Sequence, residues 1–140
     1  MMYLLDTNVV SELRKANSRR VNQQVYRWAA NVSASAMFLS AVSILELEFG
    51  ILLMERRDCA QGAILRAWME NHVLPAFEGR VLAVDVDVAR RAARLHVPDP
   101  HSQRDALIAA TALVHGMTVA TRNVADFKVA GVRLINPWEI

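Results

Sequence analysis

Tyr3-Leu4-Leu5-Asp6-Thr7-Asn8 opens the chain with an apolar run that ends on an acid. The run Tyr3–Leu5 reads as a short buried strand, which puts Asp6 at its carboxyl end. A carboxylate costs little in water, but at the rim of an apolar element it must find a partner, shift its pKa or weaken the fold. Three further acids recur downstream in similar settings. Glu46 lies in Ser43-Ile44-Leu45-Glu46-Leu47-Glu48-Phe49-Gly50, and Asp105 in Arg104-Asp105-Ala106-Leu107-Ile108-Ala109-Ala110-Thr111-Ala112. Asp126 closes the set in Thr121-Arg122-Asn123-Val124-Ala125-Asp126-Phe127. Carboxylates drawn from distant parts of a chain have a common physical solution, a shared hard divalent cation.

Outward from the first strand, short apolar runs alternate with longer helical patterns, the signature of a parallel α/β sheet. The remaining strand candidates are Met37–Ser40, Val81–Val84, Thr118–Thr121 and Val132–Ile135. A helix is expected from Ile44 to Met54, with Ile44, Leu47, Ile51 and Met54 on one stripe. Another should run from about Ala60 to His72, before Pro75 breaks the pattern. Asp85 is placed to cap a helix over Val86–His96, and Pro98 and Pro100 enforce a turn. Ser102 can cap the next helix, which stops near His115 at Gly116. Asp6 and Asp126 then follow strands on the rim where open α/β sheets bind ligands, provided the strands are parallel. Asp105 shares a helix face with Ile108, Ala109 and Ala112, whose small side chains allow close approach to the sheet. Glu46 flanks its buried stripe one turn before Gly50, where a missing side chain should permit close packing.

Composition sets the class. At 140 residues the chain is expected to form one domain, residues 1–140, and at 54% hydrophobic it can bury a substantial core. A formal charge of +2, from 16 basic and 14 acidic residues, does not suggest a generalised nucleic-acid coat, although a local basic patch is compatible with it. Cys59 is the only cysteine, so no intrachain disulfide forms and a reducing cytoplasm is the expected setting. Neither a signal peptide nor a membrane span is expected. No repeat, low-complexity tract or interdomain linker is evident.

A carboxylate cluster suits Mg²⁺ or Mn²⁺, hard cations that prefer oxygen. Such an ion lowers the pKa of water and neutralises charge on a phosphodiester under in-line attack. Thr7, Asn8, Thr121 and Asn123 can orient carboxylates, water or phosphate. Each acid also has a plainer explanation. Asp6 can cap a helix, Asp105 can serve as a first-turn dipole partner in a capping box with Ser102, Glu46 can pair with an arginine, and Asp126 can be a turn residue. Their convergence on one rim is what the separate explanations leave unaccounted for. Glu48 should face solvent, Asp85 and Asp87 serve a helix start, and the tryptophans Trp28, Trp68 and Trp138 pack. Arg19-Arg20 and Arg90-Arg91 read as solvated surface. Four histidines without ligand spacing, and a cysteine without a CxxC companion, speak against zinc.

At these motifs the chain resembles the PIN-domain ribonucleases, especially the VapC/FitB-type toxins of bacterial toxin–antitoxin pairs. The resemblance runs from Leu4-Leu5-Asp6-Thr7-Asn8-Val9-Val10-Ser11-Glu12-Leu13 to Asn136-Pro137-Trp138-Glu139, and the order of the four acidic motifs makes it specific. It implies a three-layer α/β/α sandwich around a central, mainly parallel twisted sheet. It also implies Mg²⁺-dependent endoribonuclease activity, homodimerisation, and neutralisation by a small antitoxin that can carry the assembly to operator DNA. Asp6, Glu46 and Asp105 match the principal metal-site acids and Asp126 the more variable fourth. Thr7, Asn8, Thr121 and Asn123 match supporting positions, with either Asn123 or Asp126 as the nearer group to the metal. Two other classes compete. A phosphohydrolase could use Asp6 as nucleophile, but Asn8 stands where a dehalogenase-like enzyme usually has a second Asp. A noncatalytic interaction module could use the acids to hold a partner's arginine.

Overall fold

A computed structural model describes residues 1–140. β1 (Tyr3–Leu5) leads into α1 (Thr7–Leu13) and α2 (Gln23–Ala30), and β2 (Met37–Ser40) into α3 (Ala41–Arg57) and α4 (Cys59–Trp68). A π turn at Met69–Val73 joins α4 to α5 (Leu74–Ala76). β3 (Val81–Leu82) is followed by α6 (Val86–Leu95) and α7 (Gln103–His115), then β4 (Thr118–Ala120), α8 (Val124–Phe127) and β5 (Leu134–Ile135). All strand pairs are parallel, in the order β3-β2-β1-β4-β5.

The two-residue period of a strand sends neighbouring side chains to opposite faces, and the core divides accordingly. Leu5, Leu39 and Ala120 join Val9, Trp28, Leu47, Ile51 and Met69 on one face. Leu4 and Val119 join Ile108, Ala109, Ala112 and Phe127 on the other. α7 is buried on two sides, because Ala106 and Ala110 also meet Val88 and Ala92 of α6. Its alanines are the condition for that double burial, as larger side chains would force both neighbours away. The result is the expected α/β/α sandwich around a parallel sheet. None of its helices is long and apolar enough to cross a membrane.

Local signals work largely as expected. Asp85 accepts from Val88 N at 3.0 Å, Ser102 Oγ meets Asp105 N at 3.5 Å, and Gly116 ends α7 at φ 67°. Several boundaries differ. The helix expected over Ile44–Met54 extends to Ala41–Arg57 because Ser40 caps it through Val42 N. The edge strands expected over Val81–Val84 and Val132–Ile135 keep only two residues each, since an edge has one neighbour to bond. The strand expected to reach Thr121 ends at Ala120, although Thr121 N still bonds Ile135 O. Nor does the helix expected over Ala60–His72 stop before Pro75. The π turn widens the backbone just ahead of the proline and lets the chain continue as α5.

The glycine expected to allow close packing is not Gly50, where an added Cβ would meet nothing within 4 Å. It is Gly62, where a Cβ would lie 2.5 Å from Glu55 Cα, so α4 folds back against α3 at a distance only glycine permits. Glu48, expected in solvent, lies 2.6 Å from Arg66 Nη2, with Glu55 3.0 Å from the same nitrogen. The guanidinium holds the Glu48 carboxyl below its ordinary range. This half-exposed network ties α4 to α3 and, at such exposure, adds little to stability.

Candidate functional site

β1 is the central strand, and the chain order reverses between β1 and β4. In open α/β sheets the crevice at that reversal, beyond the carboxyl ends of the strands, is where ligands bind. Asp6 immediately follows β1 and Thr121 immediately follows β4, and a 2.7 Å bond from Thr121 Oγ1 to Asp6 Oδ2 spans the crevice. Asp6 is only 7% exposed and Thr121 is fully buried, so this bond forms in low dielectric. Asp6 Oδ1 accepts from Thr7 N at 2.8 Å, and Asn8 Nδ2 lies 3.4 Å from Oδ2. Asp6 is therefore a helix cap as well as a buried carboxylate, so the plainer explanation and the functional one coexist in one side chain.

Thr7 carries the connection to α3. Its hydroxyl donates to Glu46 Oε1 at 2.7 Å and lies 3.0 Å from the buried Ser43 Oγ. A hydroxyl has one proton, and the charged acceptor at the shorter distance takes it. Ser43 was not among the expected site residues, though its spacing of three from Glu46 on one helix face was a readable signal. Glu46 Oε2 faces Arg104 Nη1 at 3.7 Å, so the arginine partner open to Glu46 is present.

Asp105 sits half-buried in the first turn of α7 and lines a small crevice with Asp126. Burial pushes the Asp105 carboxyl above its ordinary range, and Asp6, Asp126 and Glu46 push it further against a smaller lowering by Ser102. Burial likewise raises Asp6. The Thr121 hydroxyl and Thr7 N–H oppose that shift, while Glu46 and Asp126 add to it. Asp6 and Asp105 thus each respond first to burial and then to their acidic neighbours. Asp126 is exposed in the first turn of α8, where its N–H closes a turn onto Asn123 O at 3.0 Å. Asn123 N bonds Thr121 Oγ1 at 3.0 Å, which fixes the hydroxyl that holds Asp6.

As the side chains stand, no three acids, histidines or cysteines converge at ligating distance. The donor chemistry still fits a hard cation: carboxylates of one sign, of which Asp6 and Asp105 are raised first by burial and then by acidic neighbours, with Arg104 on Glu46 as the cation in contact. Asp6 is pinned by its bonds and Glu46 is held by Thr7, whereas Asp105 is half-exposed and Asp126 exposed.

A family profile described as PIN domain matches residues 3–132. The chain belongs to the PIN domain family. It is 41% identical to a VapC ribonuclease of Sinorhizobium fredii, over 99% of both chains. It is 36% identical to the toxin FitB of Neisseria gonorrhoeae, over 98% of this chain and 99% of that one. A solved structure of FitAB bound to an IR36 DNA fragment superposes with a TM-score of 0.88 at 35% identity, covering 99% of this chain and 97% of that one. The family resemblance read from the acidic motifs is therefore correct, and so is the fold it implied.

Proposed function

We propose that this PIN domain, residues 1–140, is a Mg²⁺-dependent endoribonuclease, with Mn²⁺ as a substitute, acting in the cytoplasm as the toxin of a toxin–antitoxin pair. The observation that carries the reading is the buried Asp6 at the sheet's reversal point, bonded to Thr121 and joined through Thr7 to Glu46. Full-length likeness to proteins named VapC ribonuclease and toxin FitB supports it.

Asp6, Glu46, Asp105 and Asp126 would hold the ion. When bound, a cation of this class neutralises phosphodiester charge and lowers the pKa of the attacking water. Thr121 and Thr7 keep Asp6 and Glu46 aimed into the crevice, and Asn8 and Asn123 brace them. Against Asp6 as a phosphohydrolase nucleophile stands Asn8, an amide two residues on where that chemistry usually has a second acid. The noncatalytic reading has one observation in its favour, the guanidinium of Arg104 beside Glu46.

The partners are RNA, a second copy of this chain and a small antitoxin that carries the assembly to operator DNA. Leu45, Phe49, Leu52, Leu53 and Ile64 stand about half exposed on α3 and α4, a patch of the kind protein interfaces cover. The antitoxin would cover an apolar groove with one segment and place an Arg or Lys near Asp6, Glu46 and Asp105. The deciding experiment is cleavage mapping of total RNA with wild type and Asp6→Asn, with Mg²⁺ and with EDTA. Discrete cuts lost in both the variant and EDTA support the nuclease. Cleavage that persists in metal-free buffer would falsify it.

A further inference from the structure

Arg104 and Arg122 each stack on an aromatic ring, and each residue contacts the acid site, Arg104 at Glu46 and Arg122 at Asn8. The Arg104 guanidinium lies 5.6 Å from the Phe49 ring centre, and one of its nitrogens is 3.7 Å from Glu46 Oε2. The Arg122 guanidinium lies 5.4 Å from the Trp138 ring centre. Arg122 N meets Asn8 Oδ1 at 3.4 Å, and the Asn8 amide in turn contacts Asp6. Both arginines are exposed, so each keeps donors free for another anion. Each guanidinium is also held by a ring face, and that of Arg104 by Glu46 as well, while the Arg122 backbone is tied to Asn8, which reduces the freedom lost on binding.

A cluster of carboxylates repels a polyanion, so fixed positive charges beside it favour the approach of an RNA backbone. We infer that Arg104 and Arg122, each seated on its aromatic ring, grip the RNA phosphates on either side of the bond presented to the acids. The inference rests on the nuclease reading. Phe49 and Trp138 contribute twice, by orienting the guanidinium and by offering a ring edge or face to a neighbouring base. Arg104 has a second relation to the site, because it shares Glu46 with whatever cation the acids bind. Removing it should tighten Mn²⁺ binding while weakening RNA binding, an opposition that a purely structural residue would not produce.

The test uses the full chain in an Asp105→Asn background, so that labelled single-stranded RNA survives the titration. Anisotropy across a salt series should show Arg104→Ala and Arg122→Ala each weakening RNA about tenfold. Each should also flatten the dependence of log affinity on log salt by about 0.7, the value of one phosphate contact on a single strand. Arg90→Ala with Arg91→Ala is the control. Those arginines line a surface with Leu113 and Val114, at the opposite end of α7 from Asp105, and should leave the slope unchanged. Mn²⁺ binding to the otherwise unaltered chain, followed by electron paramagnetic resonance, should tighten with Arg104→Ala. Unchanged salt slopes, or equal losses in the control, would overturn the assignment while the nuclease reading stands. Loss of antitoxin binding with RNA affinity intact would reassign the pairs to the protein partner. A parent chain that binds neither RNA nor Mn²⁺ would overturn both readings together.

Discussion

Thr121→Val tests how the crevice keeps Asp6 charged. The substitution conserves shape but removes a hydroxyl that donates to Asp6 Oδ2 at 2.7 Å and accepts from Asn123 N at 3.0 Å. Asp6 is buried beside the fully buried Thr121, while the Asn123 N–H is only partly so. A hydrogen bond to a charged acceptor contributes about 1.5–3 kcal/mol, and the stranded Asn123 N–H adds up to about 1 kcal/mol. The metal-free protein should therefore lose about 2–4 kcal/mol at neutral pH. For a chain of 140 residues that corresponds to a Tm lower by roughly 6–12 °C. The loss has a pH signature. The folded-state pKa of Asp6 is already raised, and Thr121 opposes that rise, so the variant's should climb further. A carboxyl raised in the fold gives stability that is complete below its unfolded value near 3.9 and is lost as pH rises through the folded value. The Tm deficit of Thr121→Val should accordingly be small near pH 4 and grow towards pH 7. Thermal melts in EDTA over that range, repeated in an Asp6→Asn background, measure it. A deficit under about 2 °C at neutral pH, or the same deficit when Asp6 is already an amide, would refute the coupling.

Asp105→Asn should remove most cleavage yet raise the Tm of the metal-free protein at pH 7, because ionised Asp105 is opposed by burial and by Asp6, Asp126 and Glu46. By the same sign, the gain should fade as pH drops towards 4, and added Mg²⁺ should reverse it by favouring the wild type. Asp126→Asn, at an exposed position, should weaken activity less than either Asp6→Asn or Asp105→Asn. Its activity should return at higher Mg²⁺, and loss that no metal concentration rescues would give Asp126 a more direct part in the chemistry. Gly62→Ala should lower Tm by roughly 3–9 °C, from about 1–3 kcal/mol of overpacking against Glu55, with cleavage per folded molecule intact. Gly50→Ala meets open space on the same helix pair and should stabilise by up to about 1 kcal/mol through helix propensity. Parallel melts of the two variants separate the glycine needed for contact from the one that is not.

Local chemistry made much of this protein readable in one dimension. Apolar runs of strand length, the caps at Asp85 and Ser102, the stop at Gly116 and the small face of α7 all act within a few residues, so the sequence alone determined the strands, the helices α3, α6 and α7 and the α/β class, but not α2 or α8. It also determined which acids sit at element ends, because position along a strand or a first helical turn is a local property. Relations between elements were decided only in three dimensions. The 2.7 Å bond between Asp6 and Thr121 joins residues 115 positions apart and exists because β1 and β4 pair in parallel register. The partners of Glu46, from Thr7 on one side to Arg104 on the other, depend on how α3 crosses α1 and α7. Periodicity could not tell Gly50 from Gly62, since each lies in a helical pattern and only the fold-back of α4 makes one of them indispensable. Nor could it show that Arg104 and Arg122 find aromatic seats beside the acids, because Phe49 and Trp138 reach them from remote parts of the chain. Burial and charge repulsion depend on distance in space, and distance in space is what the packed sheet supplies.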